Sequence, residues 1–256
     1  MDSIRTGDLM NHLTKQFART ILLTSILSGC NFGSNSAKND IVTPTPTPTP
    51  APTPATSVDV RGTAVKGIIK NGVVKIYGIT AGVTDTTALV EGVTDANGDY
   101  SLSVEGYTGP VVIEITAGAS STMVCDIIAG CDGTAFGADI ALTSDFNLKA
   151  VVPSIEDGED ITTNVTALTS LAASLAEAGG TLDASAVEDA NSQVAALFNI
   201  VGDITQIEVI DITDTVAVNA ANAAAVEASL LNAALLTAAL ADTTDVSVSS
   251  GAIYDV

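Results

Sequence analysis

The chain has 256 residues, with 9 Lys+Arg against 30 Asp+Glu and a formal charge of −21. That balance excludes nucleic acid as a partner, because the phosphate backbone would be repelled. Hydrophobic residues make up 46% but aromatics only 4%, so any core must be built from Ala, Val, Ile and Leu.

Arg5, Lys15 and Arg19 precede a short apolar run from Ile21 to Leu27, and Ser28 and Gly29 lead to Cys30. A basic start, a short apolar segment and small residues predict a secretory signal over residues 1–29. The run falls well short of the ~20 residues a membrane-spanning helix needs. The segment Leu27-Ser28-Gly29-Cys30 resembles the lipobox of bacterial lipoproteins. That resemblance implies lipidation of Cys30 as the mature N-terminus, with the membrane reached through its acyl chains, a palmitate among them. Asn31 stands where an Asp would resemble an inner-membrane retention signal, so the outer membrane is the expected address. An ordinary signal peptide with a chance cysteine is the alternative. Met10 offers a second start, from which the signal has more usual proportions.

Residues 30–56 read as a tether. Positions 43–54 run TPTPTPTPAPTP and hold six of the chain's eight prolines. Alternating proline forbids helix and removes sheet donors. Polyproline II follows, with a reach of about 35–40 Å over this stretch.

Residues 57–152 carry the marks of a small antiparallel β-sandwich, with turn residues every eight to twelve positions. Val74 and Ile76 alternate with Val73, Lys75 and Tyr77 after an Asn71-Gly72 turn. Tyr100, Leu102 and Val104 share one face of a strand and Ser101 and Ser103 the other. Val111, Ile113 and Ile115 repeat the pattern after Gly109-Pro110. Gly67, Val73-Val74-Lys75-Ile76-Tyr77, the Thr94 to Leu102 hairpin and Gly109 to Ile113 together resemble the carboxypeptidase regulatory-like family. The resemblance covers about a quarter of the chain and implies a prealbumin-type sandwich without a catalytic site of its own. Asp95-Ala96-Asn97-Gly98-Asp99 invites a calcium reading. Tyr100 and Gly106, however, occupy the positions where an EF-hand loop needs Gly and a bidentate Glu, so a hairpin turn is expected.

Cys125 and Cys131 lie close together in a chain expected to be exported, which points to a disulfide. Metal binding is the alternative, and no imidazole accompanies the two thiols.

From residue 153 the chain is acidic, and residues 150–256 contain no Lys, Arg or His. Val165, Leu168, Leu171, Ala172 and Leu175 predict a helix over 165–178, ended by Gly179-Gly180. A second helix starts at Asp183 or Ser185, with Val187, Ala190, Val194, Leu197, Phe198 and Val201 on its apolar face. Residues 204–213 are β-branched and suggest an extended connector. Residues 217–241, rich in Ala, predict a helix central to a bundle. Its Asn222, Glu227 and Asn232 argue against a membrane span. The run Glu156-Asp157-Gly158-Glu159-Asp160 reads as a solvated loop, with a weak calcium site as the alternative.

The only histidine, His12, belongs to the signal. The mature chain therefore has no imidazole for a triad or proton shuttle. Paired carboxylates are present, but the absence of Trp leaves a glycosidase without its usual sugar platforms. These observations predict an α+β protein, a small antiparallel β-sandwich followed by an Ala-rich helical region, held at the outer membrane through Cys30. Its expected role is structural or adhesive and non-enzymatic, with no catalytic residue, metal or cofactor. The alternative is an accessory module that binds polysaccharide or a small ligand, and an envelope protein or polysaccharide is the partner either role implies.

Overall fold

The computed structural model describes residues 57–131 and 133–241, with the side chains of the last helix described as far as residue 235. The signal, Cys30 and the proline tether lie outside the described residues.

Eleven strands come first. They are β1 (Ser57–Val65), β2 (Ile69–Lys70), β3 (Val73–Thr80), β4 (Val83–Val93), β5 (Asp99–Glu105) and β6 (Gly109–Thr116). β7 (Thr122–Val124), β8 (Asp139–Ala141), β9 (Asn147–Ile155), β10 (Ile161–Thr162) and β11 (Val165–Thr166) follow. Four helices close the described chain: α1 (Ala167–Ala178), α2 (Ala184–Leu197), α3 (Thr215–Ala220) and α4 (Ala223–Ala241). The class is α+β, with sandwich sheets and then helices.

The main sheet runs β4-β3-β6-β9 and is antiparallel throughout. A second sheet has β1 at its centre, with β5 antiparallel on one side and β10 and β11 parallel on the other. Period-two alternation decides how they stack. Val74, Ile76, Ile113, Ile115, Leu148 and Ala150 face Val58, Val60, Tyr100 and Val104 across the inter-sheet core. The turns follow the sequence expectation. Asn71 takes a left-handed φ of 55° ahead of Gly72, and the Asp95 carboxylate accepts from the amides of Asn97 and Asp99 within the hairpin.

The main sheet is buried on its other face too. Ile79, Val112 and Val151, one residue out of phase with the inter-sheet core, pack on Ala173 and Ala176 of α1 and Val187 and Ala190 of α2. The β1 sheet, the β4-β3-β6-β9 sheet and α1 with α2 thus stack as three layers, and a small antiparallel sheet, β2-β7-β8, adds Ile69 and Met123 to the inter-sheet core. This is why consecutive residues are buried at Val111-Val112-Ile113 of β6 and Ala150-Val151-Val152 of β9.

The helical region differs from expectation at several points. The boundary placed at 152/153 falls inside β9, and the chain returns through β10 and β11 to β1 before any helix begins. β1 can approach this return closely because residue 62 is Gly; a Cβ there would lie 1.8 Å from the Thr163 carbonyl oxygen. The first helix starts two residues late, because Thr166 caps it. The Thr169 amide donates to the Thr166 hydroxyl, and the Thr166 amide donates to the Thr169 hydroxyl. Its buried face is Leu168, Ala172, Ala173 and Ala176, so Leu171 and Leu175 are part-exposed rather than central. Of the two starts considered for the second helix, Asp183 is the cap, accepting from the Ala186 amide. That helix stops at Leu197, which leaves Leu197 and Val201 exposed instead of on its apolar face. Residues 204–213 connect α2 to α3 without regular structure, with turns at 204–206 and 212–213 flanking the stretch 208–211.

The long Ala-rich helix is two helices. Ala221 is extended, and the Asn222 side chain accepts from the Ala225 amide and starts α4 anew. α4 packs through Leu231 and Leu235 against Leu168, Ala172 and Val194 of α1 and α2. Helix-on-sheet packing, with α4 added outside, replaces the expected bundle.

Candidate functional site

The two expected cysteines are bonded to each other, Cys125 to Cys131, with Cα atoms 5.7 Å apart. The disulfide closes a short loop that begins directly after β7. Asp126 is the first residue inside it, so the bridge fixes the backbone that presents the Asp126 carboxylate.

Opposite lies the turn between β1 and β2. Ala64-Val65 and Ile68-Ile69 are buried core residues, and Lys66-Gly67 connects them. Gly67 has φ +24° and sits so close to β7 that a Cβ would lie 1.8 Å from the Val124 carbonyl oxygen. The Val124 amide donates to the Ile68 carbonyl across the same contact. Any larger residue at 67 would push the two segments apart.

This close approach drives Lys66 inward. Its side chain is 0% exposed, against 4% for Asp126. Lys66 Nζ lies 3.2 Å from Oδ1 and 3.0 Å from Oδ2 of Asp126. It also donates to the carbonyl oxygen of Ala233 on α4, at 3.4 Å. The Gly67 amide donates to Asp126 Oδ2 at 3.0 Å. Val65, Ile68, Val124 and Val209 form the surrounding apolar cluster. Four parts of the chain thus meet on one ion pair: the β1–β2 turn, the disulfide loop, the segment before α3, and α4.

Burial dominates the electrostatics. Loss of hydration pushes the Lys66 ammonium below its ordinary pKa, although Asp126 draws it back in part. Loss of hydration likewise pushes the Asp126 carboxyl up; Lys66 opposes this, and the negative charge of Asp211 adds to it. Both shifts run toward the uncharged forms.

Other buried polar side chains tie the same layers together. Asn232 on α4, itself buried, accepts from the Ala167 amide and donates to the Val65 carbonyl. Asn164 accepts from the Thr63 amide and donates to the Ile207 carbonyl. Tyr100 donates its hydroxyl to the Thr163 carbonyl, and burial holds its pKa far above the usual phenol value.

The other singled-out residues lie elsewhere and do not join the pair. Glu156 to Asp160 form the β9–β10 loop, where Glu156 accepts from the Ser154 hydroxyl and Asp160 pairs with Arg61 at 3.3 Å. Among the described residues no three His, Cys, Asp or Glu side chains converge to hold a metal ion. An open groove of about 480 Å³ runs beside β1 and β5, lined by Arg61, Thr63, Asp95, Asp99, Tyr100 and Asn164 among others. Its one aromatic ring, Tyr100, is buried in the inter-sheet core rather than displayed.

Lys66 and Asp126 were not singled out by the sequence reading. The available signal was Lys66 set between the apolar pairs Ala64-Val65 and Ile68-Ile69, with Asp126 held between Cys125 and Ile127. No family model matches the chain, and neither a curated protein nor a solved structure matches it.

Proposed function

We propose that the protein is an outer-membrane lipoprotein whose folded body is a structural or adhesive module of the carboxypeptidase regulatory-like kind, without catalytic turnover. The observation that carries the reading is the order of segments: Leu27-Ser28-Gly29-Cys30, then a Thr/Pro tether, then a body braced at its centre. An anchored tether holds a rigid body away from the membrane, which suits a spacer or an adhesin.

The body's charge supports anchoring by lipid alone. The five basic side chains of the described residues are all in ion pairs, from Arg61–Asp59 to Lys149–Glu177. The remaining carboxylates give a surface that anionic headgroups repel, so membrane attachment falls to acyl chains at ~0.8 kcal/mol per buried CH₂. The groove beside β1 favours the alternative, an accessory that binds polysaccharide or a small ligand. Sugar binding by stacking, however, needs a displayed ring, and Tyr100 is buried. The scaffold reading therefore has the stronger support.

Substitution of the anchor tests it. In cells fed a tagged palmitate, the wild type should be labelled and Cys30→Ser should not. Equal labelling of both would remove the lipoprotein reading.

A further inference from the structure

We infer that Lys66 and Asp126 are joined by an amide bond that the folded protein forms by itself, a covalent staple between the β1–β2 turn and the disulfide loop. The inference does not depend on the anchor at Cys30.

Geometry supplies the first argument. Nζ touches both oxygens of one carboxyl, at 3.0 and 3.2 Å, with both side chains sealed from water. Holding two reactants together raises effective concentration, up to ~10⁵–10⁸ M once the attack geometry is met; Nζ rests on the two oxygens and reaches Cγ by moving over the carboxyl plane. The same two groups in water would remain ammonium and carboxylate, which do not condense.

Burial lowers that obstacle. Burial disfavours both charges, so the pair is shifted toward amine and carboxylic acid. An amide also leaves no buried charge, whereas a buried ion pair must repay the desolvation of both partners.

The step balances without any co-reactant. The Nζ lone pair attacks Cγ of Asp126, and the carbonyl electrons move onto Oδ2. The Gly67 amide already donates to Oδ2 and is placed to hold the developing negative charge. One amine proton passes to Oδ1, which also carries the acid proton and leaves as water. The carbonyl re-forms at Oδ2. Nζ keeps one N–H, which retains its acceptor in the Ala233 carbonyl. No redox change occurs. Amine and acid give amide and one water.

The position suits a staple. The two residues are 60 positions apart, and the disulfide adds a second covalent tie at Cys125, immediately before Asp126. Together they would link the end of β1 to the end of β7.

Intact mass of the full exported chain, reduced and denatured, decides the matter. The expected mass is one water below that of the sequence with its measured N-terminus and lipid. A trypsin digest should then show no cleavage after Lys66 and one branched peptide joining Gly62–Lys70 to the peptide that contains Asp126. Lys66→Arg and Asp126→Ala should each restore the full mass. The wild type alone is decisive if either variant fails to fold. A full-mass wild type cleaved after Lys66 would overturn the inference and leave a plain ion pair. So would a water lost at Asp157-Gly158, with Lys66 still cleaved.

Discussion

Replacing Lys66 with methionine is expected to destabilise the protein by about 3–5 kcal/mol, among the largest effects of any single substitution in this chain. The reason is what remains. Asp126 is buried among Val65, Ile68 and Val124, and without Lys66 its charge has no counter-ion in that cluster. The methionine fills the lysine's volume, so the loss reports the unpaired acid rather than a cavity. Adding Asp126→Leu should recover part of the loss, because no charge is then stranded. Recovery should be incomplete, since the Gly67 amide loses its acceptor, at about 1–3 kcal/mol. If the two residues are covalently joined, the single substitution also removes a tie across the intervening chain and the loss is at least as large. Urea denaturation of the mature chain measures it. A loss below about 1 kcal/mol would contradict the burial described.

Asn232→Leu carries the second large effect. The Asn232 amide satisfies two buried backbone groups in different layers, the Ala167 amide at the start of α1 and the Val65 carbonyl at the end of β1. Leucine is similar in size and can satisfy neither. Each orphaned group costs about 1–3 kcal/mol, so a total near 2–6 kcal/mol is expected. The helical and β signals should fall together, because α4 is docked on both. Asn232→Asp should fall between, keeping the acceptor and losing the donor. Loss of helix signal alone, with the β signal unchanged, would show that α4 does not brace the sandwich.

Much of the sandwich could be read from the chain because strand alternation is a local signal. Val74-Ile76, Tyr100-Leu102-Val104 and Val111-Ile113-Ile115 each declare their face within five residues. The same alternation concealed the third layer. Val112 and Val151 belong to the opposite face of their strands, and what covers that face, α1 and α2, lies far along the chain. The helix faces were offset for a related reason. Leucine dominates a hydrophobic pattern, yet close packing on a sheet selects Ala173 and Ala176, with Ala172 under α4, and turns Leu171 and Leu175 outward.

The disulfide was legible from spacing, and the central ion pair was not. Lysine in a chain of this charge is expected at the surface. Only the long-range approach of Gly67 to Val124, across more than fifty residues, forces Lys66 inside. Asn232 was legible only as a polar interruption of an Ala-rich helix. Its role as a bridge depends on where α4 docks, which local sequence does not encode.

The most direct test of the account is the N-terminal peptide of the protein recovered from separated inner and outer membranes. The expected peptide begins at Cys30, carries acyl chains and comes from the outer-membrane fraction. A peptide beginning elsewhere without lipid, recovered from the soluble fraction, would contradict the account.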